Sequence, residues 1–60
     1  MKRLVTNERV AVDSVISTTW VENKDGIKTI TEEVLGVSIG WNFGYTFVPW
    51  SNVKYIEVKV

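Results

Sequence analysis

The chain has no cysteine and no histidine among its 60 residues, and only one proline and four glycines. Without cysteine there is no disulfide, and without both residue types there is no zinc site of the usual ligands, so no metal or cofactor is expected. Their absence also removes the common general base and the readiest nucleophile. Acid–base work would fall to Asp, Glu, Lys or Tyr, and attack to Ser, Thr, Lys or a carboxylate. An excess of charge is missing too: seven basic and seven acidic residues cancel. A general nucleic-acid binder would carry a basic footprint, so nucleic acid is the less expected partner. No apolar run approaches the roughly eighteen residues of a membrane span, and no basic start followed by an apolar stretch reads as a signal peptide. The expectation is a cytoplasmic protein with no membrane partner.

A lone domain of this length buries only about 60% of the surface its unfolded chain exposes, and small scaffolds usually add disulfides, metals or subunits. With the first two excluded, the reading is a single domain over residues 1–60 that forms a homo-oligomer. The closing segment Tyr55 to Val60 is the strand expected to pair with a neighbour.

What the chain does have is β-forming material: 45% hydrophobic residues and seven aromatics, three of them Trp. Leu4 to Thr6 reads as a short first strand or an arm, and is counted as a strand. Arg9 to Glu22 reads as one long strand, because Val15-Ile16-Ser17-Thr18-Thr19 is poor helix material, with a bulge near Asp13-Ser14-Val15. Asn23-Lys24-Asp25-Gly26 has the residues of a tight turn with positive φ at Gly26, and is expected to close a hairpin between Trp20-Val21 and Ile27. A second long strand then runs from Ile27 to Trp41, with Leu35, Val37, Ile39 and Trp41 on one face. Gly36 and Gly40 on its other face weaken it unless the sheet bends or another backbone comes close. Asn42-Phe43-Gly44 is a short loop, Tyr45 to Val48 the next strand, Pro49 to Asn52 a single 3₁₀ turn, and Val53 to Val60 the last strand. The total is five strands, mostly antiparallel, which favours closure into a barrel.

In the segment Gly44-Tyr45-Thr46-Phe47-Val48-Pro49-Trp50-Ser51-Asn52-Val53, a proline, an asparagine and a valine mark the turn before the last strand. This resembles the corresponding stretch of SH3 domains, and the order of elements is similar to that of SH3-like and Sm-like small barrels. The resemblance implies an all-β fold, a small five-stranded antiparallel SH3-like barrel with a one-turn 3₁₀ element before its last strand. The acidic-aromatic opening motif and paired tryptophans of SH3 domains are missing, so proline-rich peptide binding is not implied. No motif matches the RNA-binding positions of Sm proteins.

Enzymatic function is not expected. Glu32 and Glu33 are adjacent and point to opposite faces of a strand. Gly36, Gly40 and Gly44 recur at spacing four, but no helix follows to hold an anion. The residues with most to offer a ligand are Trp41, Asn42, Phe43, Tyr45 and Trp50, where rings, an amide and glycines converge. Phe43 is expected at a loop tip and Trp50 partly exposed, whereas Ser51 and Asn52 read as turn formers. These features suggest a binding module acting by occupancy, with a protein or a nucleotide-like small molecule as partner. Its style resembles the accessory proteins of phages and other mobile elements that inhibit or sequester host factors. Two alternatives are a structural protein that forms a homo-oligomeric ring or decorates a particle, and a single-stranded nucleic-acid binder.

Overall fold

The computed structural model describes residues Met1–Val60. Six strands follow in chain order: β1 (Lys2–Val12), β2 (Val15–Val21), β3 (Ile27–Glu32), β4 (Gly36–Trp41), β5 (Gly44–Pro49) and β6 (Val53–Val58). A 3₁₀ turn, Trp50–Asn52, stands before β6 where the sequence places it. The strands form two antiparallel three-stranded sheets, ordered β2-β1-β6 and β3-β4-β5. The fold is thus all-β, with six strands in place of the expected five, and no ladder joins the sheets into one closed barrel. No helix is long and apolar enough to cross a membrane.

Two turns and one merger account for the changed count: each of the two long stretches is folded in half, while Leu4 to Thr6 and the start of the Arg9 stretch run on as the single strand β1. The stretch Arg9 to Glu22 is folded in half at Asp13-Ser14, a two-residue turn closed by the pair Val12↔Val15. Two-residue hairpins demand positive φ, and Asp13 supplies it at 57° because its short polar side chain tolerates that region better than most. The irregularity expected here lies instead on β1, where the register shifts between Val5 and Val10. Thr6 is buried at that shift and its hydroxyl donates to the Glu8 carbonyl at 2.7 Å. The stretch Ile27 to Trp41 is likewise folded, at Val34-Leu35, where the Glu33 N–H donates to the Gly36 carbonyl at 2.8 Å. Leu35 therefore leaves the face it was expected to share with Val37 and Ile39, and is exposed.

The turn at Asn23 to Gly26 forms, with positive φ at Asn23, Asp25 and Gly26 and an Ile27 N–H bond to the Lys24 carbonyl at 3.0 Å. It does not close a hairpin. β2 pairs with β1 and β3 pairs with β4, so the turn carries the chain from one sheet to the other. Side chains occupy the β3 edge where a β2 ladder would run: the Glu22 carboxylate accepts from the Ile30 N–H at 2.7 Å, and the Lys2 ammonium donates to the Ile30 carbonyl at 2.8 Å. This charged pair satisfies one residue of the edge much as a strand would.

A second seam is closed in the same way. The Asn52 side chain accepts from the Glu8 N–H at 2.6 Å and donates to the Glu8 carbonyl at 3.3 Å, tying the 3₁₀ turn to the irregular part of β1. An amide group offers one acceptor and two donors, so it can replace a paired backbone here. Asn52→Ala is expected to cost about 1 kcal/mol, or roughly 4–8 °C in melting temperature for a domain of this size. Thermal unfolding followed by circular dichroism checks it, and an unchanged midpoint would mean that water serves Glu8 equally well.

Between the sheets, Leu4, Val12, Trp20, Ile27, Ile30, Val37, Ile39 and Val48 form the core, with Val10, Trp41, Val53 and Ile56 packed against it. Strand alternation then fixes the opposite face of β3-β4-β5. With Val37, Ile39 and Val48 turned inward, Gly36, Ser38, Gly40, Tyr45 and Phe47 are turned outward.

Candidate functional site

The outward face of β3-β4-β5 has a floor of small residues on its central strand. Ladder pairs set Tyr45 beside Gly40, Phe47 beside Ser38 and Pro49 beside Gly36. Neither glycine has room for a side chain: a Cβ on Gly36 would come within 2.7 Å of the Phe47 ring, and one on Gly40 within 2.6 Å of the Thr29 hydroxyl. At Gly36 the neighbours include backbone, the Val48 carbonyl and the Pro49 Cα, which is the approach expected there, whereas at Gly40 the close neighbour is the Thr29 side chain. The Phe47 ring lies over Gly36 while staying exposed.

Next to Phe47 the β3–β4 turn presents two more apolar side chains, Val34 at 92% exposure and Leu35. Neither residue is a turn former, and Trp50 explains how they are held. Its indole N–H lies 3.0 Å from the Glu33 carbonyl and 3.1 Å from that of Val34, and its backbone N–H lies 3.4 Å from that of Leu35. The indole can stay 40% exposed because its polar end is engaged. Trp50 is thus a positioning residue that fixes an apolar turn beside Phe47. Two shallow depressions meet at Phe47, one of about 410 Å³ against Glu33, Val34 and Leu35, the other of about 370 Å³ against Glu33, Ser38 and Tyr45.

The structure distributes the five residues singled out by sequence over four places. Tyr45, at 70% exposure, lies on the outward face. Trp41 lies on the inward side of β4, packed on the core, with its indole N–H 3.2 Å from the Thr46 hydroxyl. Asn42 and Phe43 form the β4–β5 turn, and Phe43 is 87% exposed there. Trp50 stands at the other end of the β5 strand, at the β3–β4 turn. Sequence reasoning passed over Phe47, Val34 and Leu35. Phe47 was findable, since it has the same strand parity as Tyr45.

Chemically the face offers apolar area, hydroxyls at Ser38, Thr29 and Thr31, the phenol of Tyr45 and a carboxylate at Glu33. No three His, Cys, Asp or Glu residues gather into a metal-binding group. Nothing on this face arranges a nucleophile against a base, and what it offers is mainly exposed apolar contact area. No family model, curated protein or solved structure matches the chain, so the geometry of this face stands alone.

Proposed function

We propose that this chain is a non-enzymatic binding module that acts by occupying a protein partner, with Tyr45 and Phe47 as anchors. The observation that carries the reading is the exposed run of Tyr45, Phe47, Leu35 and Val34 over a glycine floor, with Trp50 bonded to the turn that presents it. Exposed rings cost least when their surroundings hold them in place before binding, and aromatic anchors dominate interface energies. A protein is favoured over nucleic acid because the depressions are bordered by Glu33 and by no lysine or arginine. Phosphates would find no counter-charge there.

A titration and a capture experiment test the reading together. Tryptophan fluorescence should not respond to a single-stranded oligothymidylate at physiological salt. Protein captured on the immobilised chain should be lost with Tyr45→Ala/Phe47→Ala, while Phe43→Ala retains it and both variants melt near the parent temperature. Capture that survives the double substitution would overturn the proposal. Oligonucleotide binding that disappears with it would replace the protein partner by a single strand stacked on the rings.

A further inference from the structure

We infer that β2 is a self-association edge: two copies of this chain pair their β2 strands antiparallel across a two-fold axis, joining their β2-β1-β6 sheets into one. The fold leaves four strand edges, at β2, β6, β3 and β5. Three carry the devices that discourage pairing. The β3 edge is occupied at Ile30 by Lys2 and Glu22, β5 ends in Pro49, and β6 carries Lys54 with Lys59 just past its end. By contrast β2 reads Val15-Ile16-Ser17-Thr18-Thr19-Trp20-Val21, without charge, proline or glycine. Ile16 on this strand is 57% exposed and Val15 is exposed beside it.

A second copy fits this edge by its charge. Antiparallel self-pairing across a two-fold lays a strand against its own sequence, and like charges brought opposite one another destabilise the pair. A strand with no charge at all meets no such penalty. An open depression of about 380 Å³ follows the edge, lined along β2 by Val15, Ser17, Thr19 and Val21, with the opposite charges of Lys24 and Asp25 at its end in the β2–β3 turn. The backbone of Thr19 is met here by the Ser17 hydroxyl, with its N–H 3.1 Å and its C=O 3.2 Å away, a neutral local contact that an incoming strand can displace, unlike the charged side chains that occupy β3. Pairing through β2 would also supply the subunit contact that so small a domain, lacking disulfides and metal, usually needs. It would leave the face bearing Tyr45 and Phe47 free, so its failure and the failure of the proposed function are separable.

Sedimentation of the full chain in the high micromolar range tests the inference. The parent should run at twice the chain mass. Thr19→Lys and Ile16→Lys, each at an exposed position, should run at the single-chain mass while circular dichroism still reports a folded β protein. Mixing Thr19→Lys with Thr19→Glu should restore the double mass, because opposite charges then meet near the axis. Tyr55→Lys on β6 should leave the double mass unchanged. A parent at single-chain mass, lysine variants that stay paired, or a parent species larger than two chains would each overturn it.

Discussion

Gly36→Ala is expected to leave this domain largely unfolded at room temperature. A Cβ there would overlap the Val48 carbonyl oxygen and lie 2.8 Å from the Pro49 Cα and 2.7 Å from the Phe47 ring. The first two of these are backbone atoms, so no rotamer change relieves the overlap, and the pairing of Gly36 with Pro49 has to open. Overpacking typically costs about 1–3 kcal/mol, and more when backbone must move. A core of this size rarely supplies more than about 3–5 kcal/mol in total. The penalty is therefore comparable to the whole stability. Gly44→Ala is the control, since the nearest atom to its new Cβ is Trp41 Cζ2 at 3.6 Å, an ordinary contact. Equal denaturation midpoints for the two variants in guanidinium would show that β4 and β5 do not approach as closely as described.

The contrast between these glycines shows what a local reading of the chain can reach. Gly36 and Gly40 announce a bend or a close approach, because glycine otherwise only weakens a strand, and the Asn23-to-Gly26 turn announces itself through residues that tolerate positive φ. The 3₁₀ turn after Pro49 is legible for the same kind of reason: proline fixes its own φ and stops the ladder. Asp13-Ser14 is harder, because one turn-forming pair inside a β-branched run fits a bulge as well as a reversal. Val34-Leu35 is illegible locally. Two apolar residues make a turn there because Trp50 bonds the carbonyls from fifteen or more positions away, and that partner cannot be inferred from the turn itself.

The same limit governs the candidate site and the count of sheets. Tyr45 and Phe43 emerge where a short loop and strand alternation put them, whereas Trp41 is drawn inward by its parity with Val37 and Ile39. The aromatic segment is thus divided between core and surface, one strand face to each. Whether two sheets merge into a barrel depends on edges, and here Glu22, Lys2 and Asn52 occupy places that a strand would take in a closed one. Polar side chains replacing a ladder leave no periodic trace in a sequence.

Trp20→Ala should be the most damaging truncation in the molecule, and its comparison with Trp20→Phe should be more informative than either variant alone. The ring is 5% exposed and belongs to the core cluster that joins the two sheets. Removing so large a buried side chain costs about 3–5 kcal/mol through lost transfer energy and the cavity left behind, enough to match the total expected for a core this small. Phenylalanine keeps most of the apolar volume and discards the indole N–H, which has no acceptor in the isolated chain. A buried donor left unsatisfied carries a penalty of about 1–3 kcal/mol, so its loss should offset much of the smaller cavity. The expected result is a Trp20→Phe midpoint within a few degrees of the parent and a Trp20→Ala chain without a cooperative transition. If phenylalanine proves nearly as damaging as alanine, the indole N–H is satisfied in solution. Water held inside the core would then be its acceptor.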